Sequence, residues 1–253
     1  MTRGRQRKGQ RRATIRSVPK RAAALTAAIA LGAVIIMIAP PAAMADGGTS
    51  NGATYTASTT SIDVGDSWRV TVGQIAGGND TVAATFNNAS IASGRAMAAM
   101  LDAQNVVRTD ADFHTQPAVS FRPTAVSEVL TGVYYWQHAA HPLDFVTTIV
   151  IDSRTGRPIT LEDLFTDMQA GLNRLSEQTK VLLPAAYGRG SAPDGDRTGN
   201  APVATNFHHW IPTAKGLEIH FEDYQFAHGL PVITVPWEEL TDVLAPGMQI
   251  LAH

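Results

Sequence analysis

The chain has 253 residues, with 20 Lys and Arg, 22 Asp and Glu, and no cysteine, so its formal net charge is −2. The lack of cysteine excludes disulfides, thiol catalysis, cysteine-ligated zinc and iron–sulfur clusters. A chain of this length can bury a core without such cross-links, in one domain or in two closely packed lobes.

The first 45 residues have the three parts of a secretory signal peptide. Residues 1–21 contain nine basic residues and no acidic one, residues 22–39 are apolar, and residues 43–45 (Ala-Met-Ala) form an A-x-A cleavage site. We therefore predict export to the extracellular space or the cell envelope, with cleavage before Asp46. The alternative is an uncleaved membrane anchor, which would be the chain's only association with a membrane.

Removal of this segment would leave a strongly acidic protein. Eleven of the twenty basic residues would remain against all twenty-two acidic ones, for a net charge near −11. Nucleic acid is then excluded as a partner, because phosphate binding requires clusters of Lys and Arg. An acidic surface favours solubility and encounter with basic partners.

The N-terminal part of the exported chain is predicted to contain short strands and one helix. Its opening residues, 46–54, are small and polar, which is typical of a flexible leader. Apolar and β-branched residues predict strands at 55–60, 68–72 and 81–86, and a helix over about 90–107. We assign residues 55–115 to an N-terminal lobe.

A C-terminal lobe, residues 116–253, is predicted to be rich in strands. Apolar runs at 119–137 and 145–152 flank a short turn and predict an antiparallel hairpin. Thr160 and Asp163 resemble a capping box, so a helix is expected from about residue 160 to 183, where Pro184 ends it. Residues 186–203 are rich in Gly and Pro, which indicates an exposed loop.

The last part of the chain has the clearest alternation. Leu217, Ile219 and Phe221 alternate with polar residues, Val232–Val235 form a second apolar run, and a short C-terminal helix is expected after it. The predicted class is therefore α+β, with antiparallel sheets packed against one long helix (about 160–183) and a short C-terminal helix.

Two separate blocks carry a family resemblance. The first runs from Tyr134-Tyr135 through Ala140-His141-Pro142 to the helix start Leu161–Phe165. The second has Gly216-Leu217-x-Ile-x-Phe, Tyr224, then a Gly and a Pro before a strand. Together they resemble the RsiV-like extracellular domain family, a domain of unknown function shared by a lysozyme-sensing anti-sigma factor and secreted mycobacterial immunogenic antigens. The resemblance covers most of residues 130–245 and, more loosely, residues 55–110.

The resemblance implies a stand-alone secreted domain that binds a protein or a cell-envelope ligand. About twenty residues precede the apolar segment, too few to form a domain that holds a sigma factor. Lysozyme is the first candidate partner. The loop from Tyr224 to Gly229 is shorter here than is usual in the family, where the corresponding loop of one member helps to grip lysozyme.

The alternative function is that of an exported serine esterase. Ser67 ends a Gly-Asp-Ser triplet that resembles a block of one hydrolase class, and Ser191 follows a glycine in the Gly-rich loop. A serine nucleophile needs an exposed turn, a histidine base and an oxyanion hole. Ser67 is expected to enter a strand, which does not provide the exposed turn. We therefore expect a non-enzymatic protein and name no catalytic residue.

Histidine spacing does not predict a metal site. His138 and His141 fall in the hairpin turn, where a structural role is the simplest interpretation. His208 and His209 are adjacent, and neighbouring residues of a strand point to opposite faces, so they are not expected to bind one ion. Neither a metal ion nor a cofactor is predicted.

Binding remains the best-supported function, and the loop before the last strand is its predicted location. Core packing accounts for aromatic residues such as Trp210 and Trp237. Tyr224, Phe226 and His228 lie in the loop itself and are the predicted contact residues for a ligand.

Overall fold

A computed structural model describes residues 46–65, 67–103, 111–187 and 197–252. All of them belong to one compact unit, Ile36–His253. The predicted signal peptide, Ser191 and residues 104–107 of the predicted helix lie outside the described residues. Within the described ranges, no helix combines the length and apolar character needed to cross a membrane.

Three antiparallel sheets and three α-helices make up the fold. The first sheet contains β1 (Gly47–Ser50), β2 (Ala53–Val64) and β3 (Trp68–Gly77). The central sheet contains β4 (Ala111–Arg122), β5 (Ala125–Trp136), β6 (Leu143–Asp152) and β7 (Arg157–Pro158). The third sheet, in the order β10-β9-β8, contains β8 (Trp210–Pro212), β9 (Gly216–His220) and β10 (Val232–Pro236). The helices are α1 (Asp80–Ala103), α2 (Leu161–Leu164) and α3 (Met168–Ala186). The α+β class is confirmed.

Strand β5 lies in the middle layer of the molecule, and from Ala125 to Leu130 it is buried on both faces. Its even positions, including Leu130 and Tyr134, pack with α1 and the first sheet. Its odd positions Ala125 and Val129 pack with α3 and the third sheet. Successive strand residues point to opposite faces, so one strand can serve two cores. Each large apolar side chain buried in this way contributes about 1.5–3 kcal/mol.

Helix α1 occupies residues for which the sequence predicted a strand. Asn79 begins it, because its side-chain oxygen accepts hydrogen bonds from the backbone N–H groups of Thr81 (2.9 Å) and Val82 (3.2 Å). Val82 and Phe86, four residues apart, are buried on the face that meets the first sheet. The strand predicted at residues 81–86 is therefore wrong, although a capping Asn precedes these residues.

The helix predicted over residues 160–183 is present, but it is divided. Asp163 accepts a hydrogen bond from Thr160 N at 2.8 Å, as the capping box predicted, and this begins α2. Phe165 is then extended and forms a β-bridge with Leu244, which interrupts the helix. Asp167 starts α3 by accepting from Ala170 N at 2.9 Å. Helix α3 runs past Pro184 to Ala186, so the predicted end is wrong by three residues.

Three other expectations differ from the structure. Residues 46–54 are not a leader, because β1 pairs with β2 and the buried Ser50 hydroxyl donates to Arg122 O at 2.6 Å. The apolar run 119–137 belongs to two strands, β4 and β5, and β4 spans the expected lobe boundary at residue 115. After β10 the described chain has short 3-10 helices at residues 237–239 and 249–252 in place of a C-terminal α-helix.

Candidate functional site

The residues that follow β9 differ in burial. Phe221, directly after β9, is fully buried, and its N–H donates to Pro231 O at 3.0 Å. This bond closes the connection between β9 and β10 at its base. We call residues 223–230 the Tyr224 loop. The loop is short because β9 and β10 stay paired up to its base, where Val232 lies opposite His220.

Asp223 organises the Tyr224 loop. Its side chain is only 7% exposed. One carboxylate oxygen accepts from Gly229 N at 2.7 Å and from His228 Nδ1 at 3.0 Å, and the other accepts from Asp144 N at 3.2 Å. The carboxylate therefore joins the two ends of the loop to the start of β6. Charge-assisted bonds of this kind are stronger than neutral ones.

Tyr224 is held in a left-handed backbone conformation, with φ of 63°. That region is unfavourable for a residue with a Cβ, and it persists where the surroundings impose it. Tyr224 N donates to Ala227 O at 3.1 Å, and the Tyr224 hydroxyl lies 2.8 Å from His141 Nε2. His141 Nδ1 lies 2.8 Å from Pro142 O, so Nδ1 carries the proton and Nε2 accepts from the tyrosine.

Three rings form a cluster at the surface: His141, Tyr224 and His228. Their centroids are 4.5 Å apart for the two histidines, 5.8 Å for His141 and Tyr224, and 5.5 Å for Tyr224 and His228. Asp144 lies beside this ring cluster. Burial, and next the charge of Asp223, raise the pKa of Asp144, while the two histidines oppose the shift. The site thus combines acidic, imidazole and phenol groups on a fixed frame.

The predicted contact residues lie together in the Tyr224 loop but differ in exposure. Tyr224 is 54% exposed and the His228 side chain is 32% exposed. Phe226 turns toward the core, where its ring packs edge-on against Phe221 with centroids 5.0 Å apart. His141 and Asp144 were not predicted. The resemblance had separated His141 and Tyr224 into different sequence blocks, and the fold brings them into contact.

His208 and His209 converge on one carboxylate. Their Nε2 atoms lie 3.4 Å and 3.3 Å from the same oxygen of Glu222. Both histidines precede β8, which begins at Trp210, so strand alternation does not apply to them. The argument that they must point apart is therefore wrong. We call these three residues the His-His-Glu cluster.

The pKa shifts in the His-His-Glu cluster follow from burial and from charge. The two imidazoles, His208 first, hold the pKa of Glu222 well below its ordinary value. Glu222 in turn raises the pKa of His208. Burial lowers the pKa of His209, whose side chain is only 11% exposed.

A cavity of about 470 Å³ adjoins this cluster. Ile149, Ile151, Ile159, Leu161 and Trp210 supply apolar walls, and His208 supplies a polar group. A largely apolar concavity that is also lined by the titratable groups of His208 and Glu162 has a common form of small-molecule site. Its walls come from β6, from the residues around α2 and from the start of β8.

The serine candidates are not paired with a base in the described parts of the chain. Ser67 is exposed in the turn directly before β3. The histidine hydrogen bonds of the described residues go to backbone oxygens, carboxylates and Tyr224, and none reaches a serine. No described serine thus has a hydrogen-bonded histidine to act as its base.

Comparison with known proteins gives a fold and no activity. No family model matches the sequence, and no curated protein matches it. Among solved structures, the chain is similar to a DUF3298 family protein from Pseudomonas aeruginosa PAO1, with 14% identity and a TM-score of 0.55, over 77% of this chain and 95% of that chain. A DUF3298 family member from Bacteroides fragilis has 15% identity over 80% of this chain and 98% of that chain, with a TM-score of 0.49, too low to support an argument.

The chain therefore has a fold like that of a protein from a family of unknown function. At this level of identity the likeness concerns the fold alone, and the roles of individual residues must be argued from the geometry described above.

Proposed function

We propose that this protein is a secreted, non-enzymatic binding domain and that the Tyr224 loop is its contact surface. The observation that carries the proposal is Tyr224 itself, a large side chain that is 54% exposed while its backbone has φ of 63°. An exposed side chain held by an unfavourable backbone conformation has no role in the core. Such strain is concentrated at functional sites.

The loop is also preorganised. The Asp223 carboxylate, with its three donors, and the Tyr224–His141 bond fix the surface before a partner arrives. Binding then costs little conformational entropy, which is the usual gain from a rigid contact surface. Tyrosine is enriched at the energetic centres of interfaces because its ring is large, rigid and able to hydrogen-bond.

The resemblance to RsiV-like extracellular domains suggests a protein partner, with lysozyme as the first candidate. The acidic composition of residues 46–253, which carry a net charge near −11, supports a basic partner. A cell-envelope ligand is the second candidate class, because the N-terminal sequence predicts export.

We expect calorimetric titration with lysozyme to show saturable binding that depends on the Tyr224 loop. Tyr224→Ala should weaken it at least about tenfold, since truncating a central tyrosine costs 2 kcal/mol or more. His228→Ala should act in the same direction. The matched control is Met100→Ala: Met100 is 44% exposed on α1, on the far side of the central sheet, and should leave the affinity unchanged.

Two results would count against this assignment. Saturable binding that survives both Tyr224→Ala and His228→Ala would place the contact surface elsewhere. Absence of saturable binding would remove lysozyme as the partner. Circular dichroism of each variant checks that the fold is intact.

We further propose that export removes residues 1–45. Strand β1 begins at Gly47, so cleavage before Asp46 would leave the first sheet complete. N-terminal sequencing of protein recovered from the culture medium is expected to begin at Asp46. A chain of full mass that remains in the membrane fraction would instead show that the apolar segment is retained as an anchor.

A further inference from the structure

The described histidine–carboxylate contacts fall into two geometric groups. His220 Nε2 lies 2.9 Å from Glu218, and His228 Nδ1 lies 3.0 Å from Asp223. These are hydrogen bonds of ordinary length. The contacts of His208 and His209 with Glu222 are longer, at 3.4 Å and 3.3 Å. Both contacts are longer than the distance of about 2.7–2.9 Å that is usual for charge-assisted N–H···O bonds.

The longer distances match the spacing between ligands of a tetrahedral metal ion. With zinc bonds of about 2.0–2.1 Å, two ligand atoms of a tetrahedron are about 3.3 Å apart. One ligand atom from each of the three residues lies within 4.8 Å of the other two. We propose that His208, His209 and Glu222 form a Zn²⁺ site. Two imidazole nitrogens and one carboxylate are the ligand set of many zinc enzymes, and three protein ligands leave a fourth position open.

The surroundings orient the His208 ring for this role. His208 Nδ1 lies 2.6 Å from Thr205 O and donates to it, which directs Nε2 at Glu222. Metal-binding histidines usually donate their second ring nitrogen to a carbonyl or a carboxylate in this way, which fixes the tautomer.

The backbone fixes the positions of the other two ligands. His209 O accepts from His220 N at 2.8 Å, and Trp210 N donates to Thr148 Oγ1 at 3.0 Å, which holds this segment against β9 and β6. Glu222 follows the buried Phe221 at the end of β9. Sites carried by such anchored segments keep their geometry better than sites on free loops.

The second group of potential ligands, Asp144, Asp223 and His228, is a weaker candidate. Both oxygens of Asp223 already accept hydrogen bonds from N–H groups, and His228 Nδ1 is one of the donors. A metal ion there would displace the bonds that fold the Tyr224 loop. The proposed zinc ligands lie outside the Tyr224 loop, so the zinc proposal does not depend on the binding function proposed for that loop.

Zinc titration of the tag-free protein, produced from its complete coding sequence and first dialysed against a chelator, tests the proposal. Calorimetry and elemental analysis are expected to show one Zn²⁺ per chain, and Co²⁺ substitution should give the visible spectrum of tetrahedral coordination. Glu222→Gln and His208→Asn should each weaken binding by more than the roughly 10–100-fold that follows loss of an outer hydrogen-bond partner. Glu222 is 56% exposed, so its substitution should not impair folding.

Matched controls distinguish this site from the rest of the surface. Glu218→Gln changes a carboxylate that is paired with one histidine on the same strand, and it should leave zinc affinity unchanged. Asp144→Asn should also leave it unchanged. Zinc affinity that survives Glu222→Gln but is lost in Asp144→Asn would overturn the proposal in favour of the other group. Absence of one-to-one zinc binding would overturn it as well.

Discussion

Replacing Asp223 with alanine is expected to lower the free energy of unfolding by about 2–3 kcal/mol and to release the Tyr224 loop, because partly buried donors that lose their acceptor cost about 1–3 kcal/mol each. The donors are the N–H groups of Gly229 and Asp144 and the Nδ1 of His228. Gly229 N and His228 Nδ1 have no other hydrogen-bond acceptor among the described contacts. Denaturant unfolding measures the loss of stability, and hydrogen exchange at Gly229 measures the release of the loop.

Conservative and remote substitutions make this prediction specific. Asp223→Asn keeps one carbonyl oxygen as an acceptor, so its effect should be roughly half that of Asp223→Ala. Glu177→Gln, on the exposed face of α3, should stay within about 0.5 kcal/mol of the unchanged protein. If Asp223→Ala behaves like Glu177→Gln, and the Gly229 amide keeps its protection, then the carboxylate does not hold the loop.

Asp223→Ala should also lower the pKa of Asp144. The charge of Asp223 is the second cause of the raised pKa of Asp144, after burial. Removing that charge leaves burial opposed by His141 and His228, so the carboxyl of Asp144 should titrate at lower pH. NMR titration of Asp144 reports this shift separately from the loss of stability.

The strands were largely predictable because their pattern is local. Leu217, Ile219 and Phe221 face the core at every second position, and all three are fully buried. The start of α1 was misassigned because Thr81–Phe86 is a short, mixed apolar run, which periodicity alone does not assign to helix or strand. Val82 and Phe86 pack against the first sheet, and this contact makes the segment a helix. The sheet residues come earlier in the chain, so a reading of residues 81–86 alone does not include them.

The interruption between α2 and α3 could not be predicted from the local sequence. Phe165 bridges to Leu244, and Thr166 N and Ala245 N complete the pairing with Val243 O and Leu164 O. The partners are almost eighty residues away, so the helical spacing of residues 160–183 contains no sign of the break. Regular periodicity predicts which residues share a face, and tertiary pairing determines where the helix ends.

The contacts within the candidate sites were likewise not predictable from the local sequence. The Tyr224 loop was predictable as a loop because it contains Gly229 and is followed by Pro231. Its contacts with His141 and Asp144 depend on how β6 meets the third sheet. His208 and His209 were judged as strand residues, and the strand begins one residue later, at Trp210. A boundary error of one or two residues therefore removed the proposed metal site from consideration.

The second large effect on stability is expected at Glu128, whose carboxyl group lies in the core. Glu128 on β5 is 1% exposed and lies between Val126 and Leu130 on the face that meets α1. One of its oxygens accepts from Gly73 N at 2.7 Å and from Ser90 Oγ at 3.0 Å. The other oxygen is buried without a hydrogen-bond partner in the structure. Burial raises the pKa of Glu128, and the two hydrogen bonds only partly oppose the shift.

This shift makes stability depend on pH in a definite direction. In the unfolded chain Glu128 ionises near its ordinary pKa of 4.5, whereas in the folded protein its pKa is higher. Its contribution to stability is therefore fully present below about pH 4.5 and is lost as the pH rises through the folded pKa, because the unfolded state releases the proton first. Glu128→Gln removes this titration, so the decline assigned to Glu128 should disappear.

Glu128→Ala should have the opposite effect to Glu128→Gln. It deprives the buried Gly73 N–H and Ser90 hydroxyl of their acceptor and leaves a cavity, so the free energy of unfolding should fall by about 3 kcal/mol. Glutamine keeps an acceptor oxygen and carries no charge, so above the folded pKa that variant should be at least as stable as the unchanged protein. Denaturant unfolding from pH 4 to pH 8 compares the three proteins. Glu177→Gln, exposed in α3, should keep the original slope. An equal slope in Glu128→Gln would show that folding does not raise the pKa of Glu128, because the folded and unfolded states would then release its proton over the same pH range.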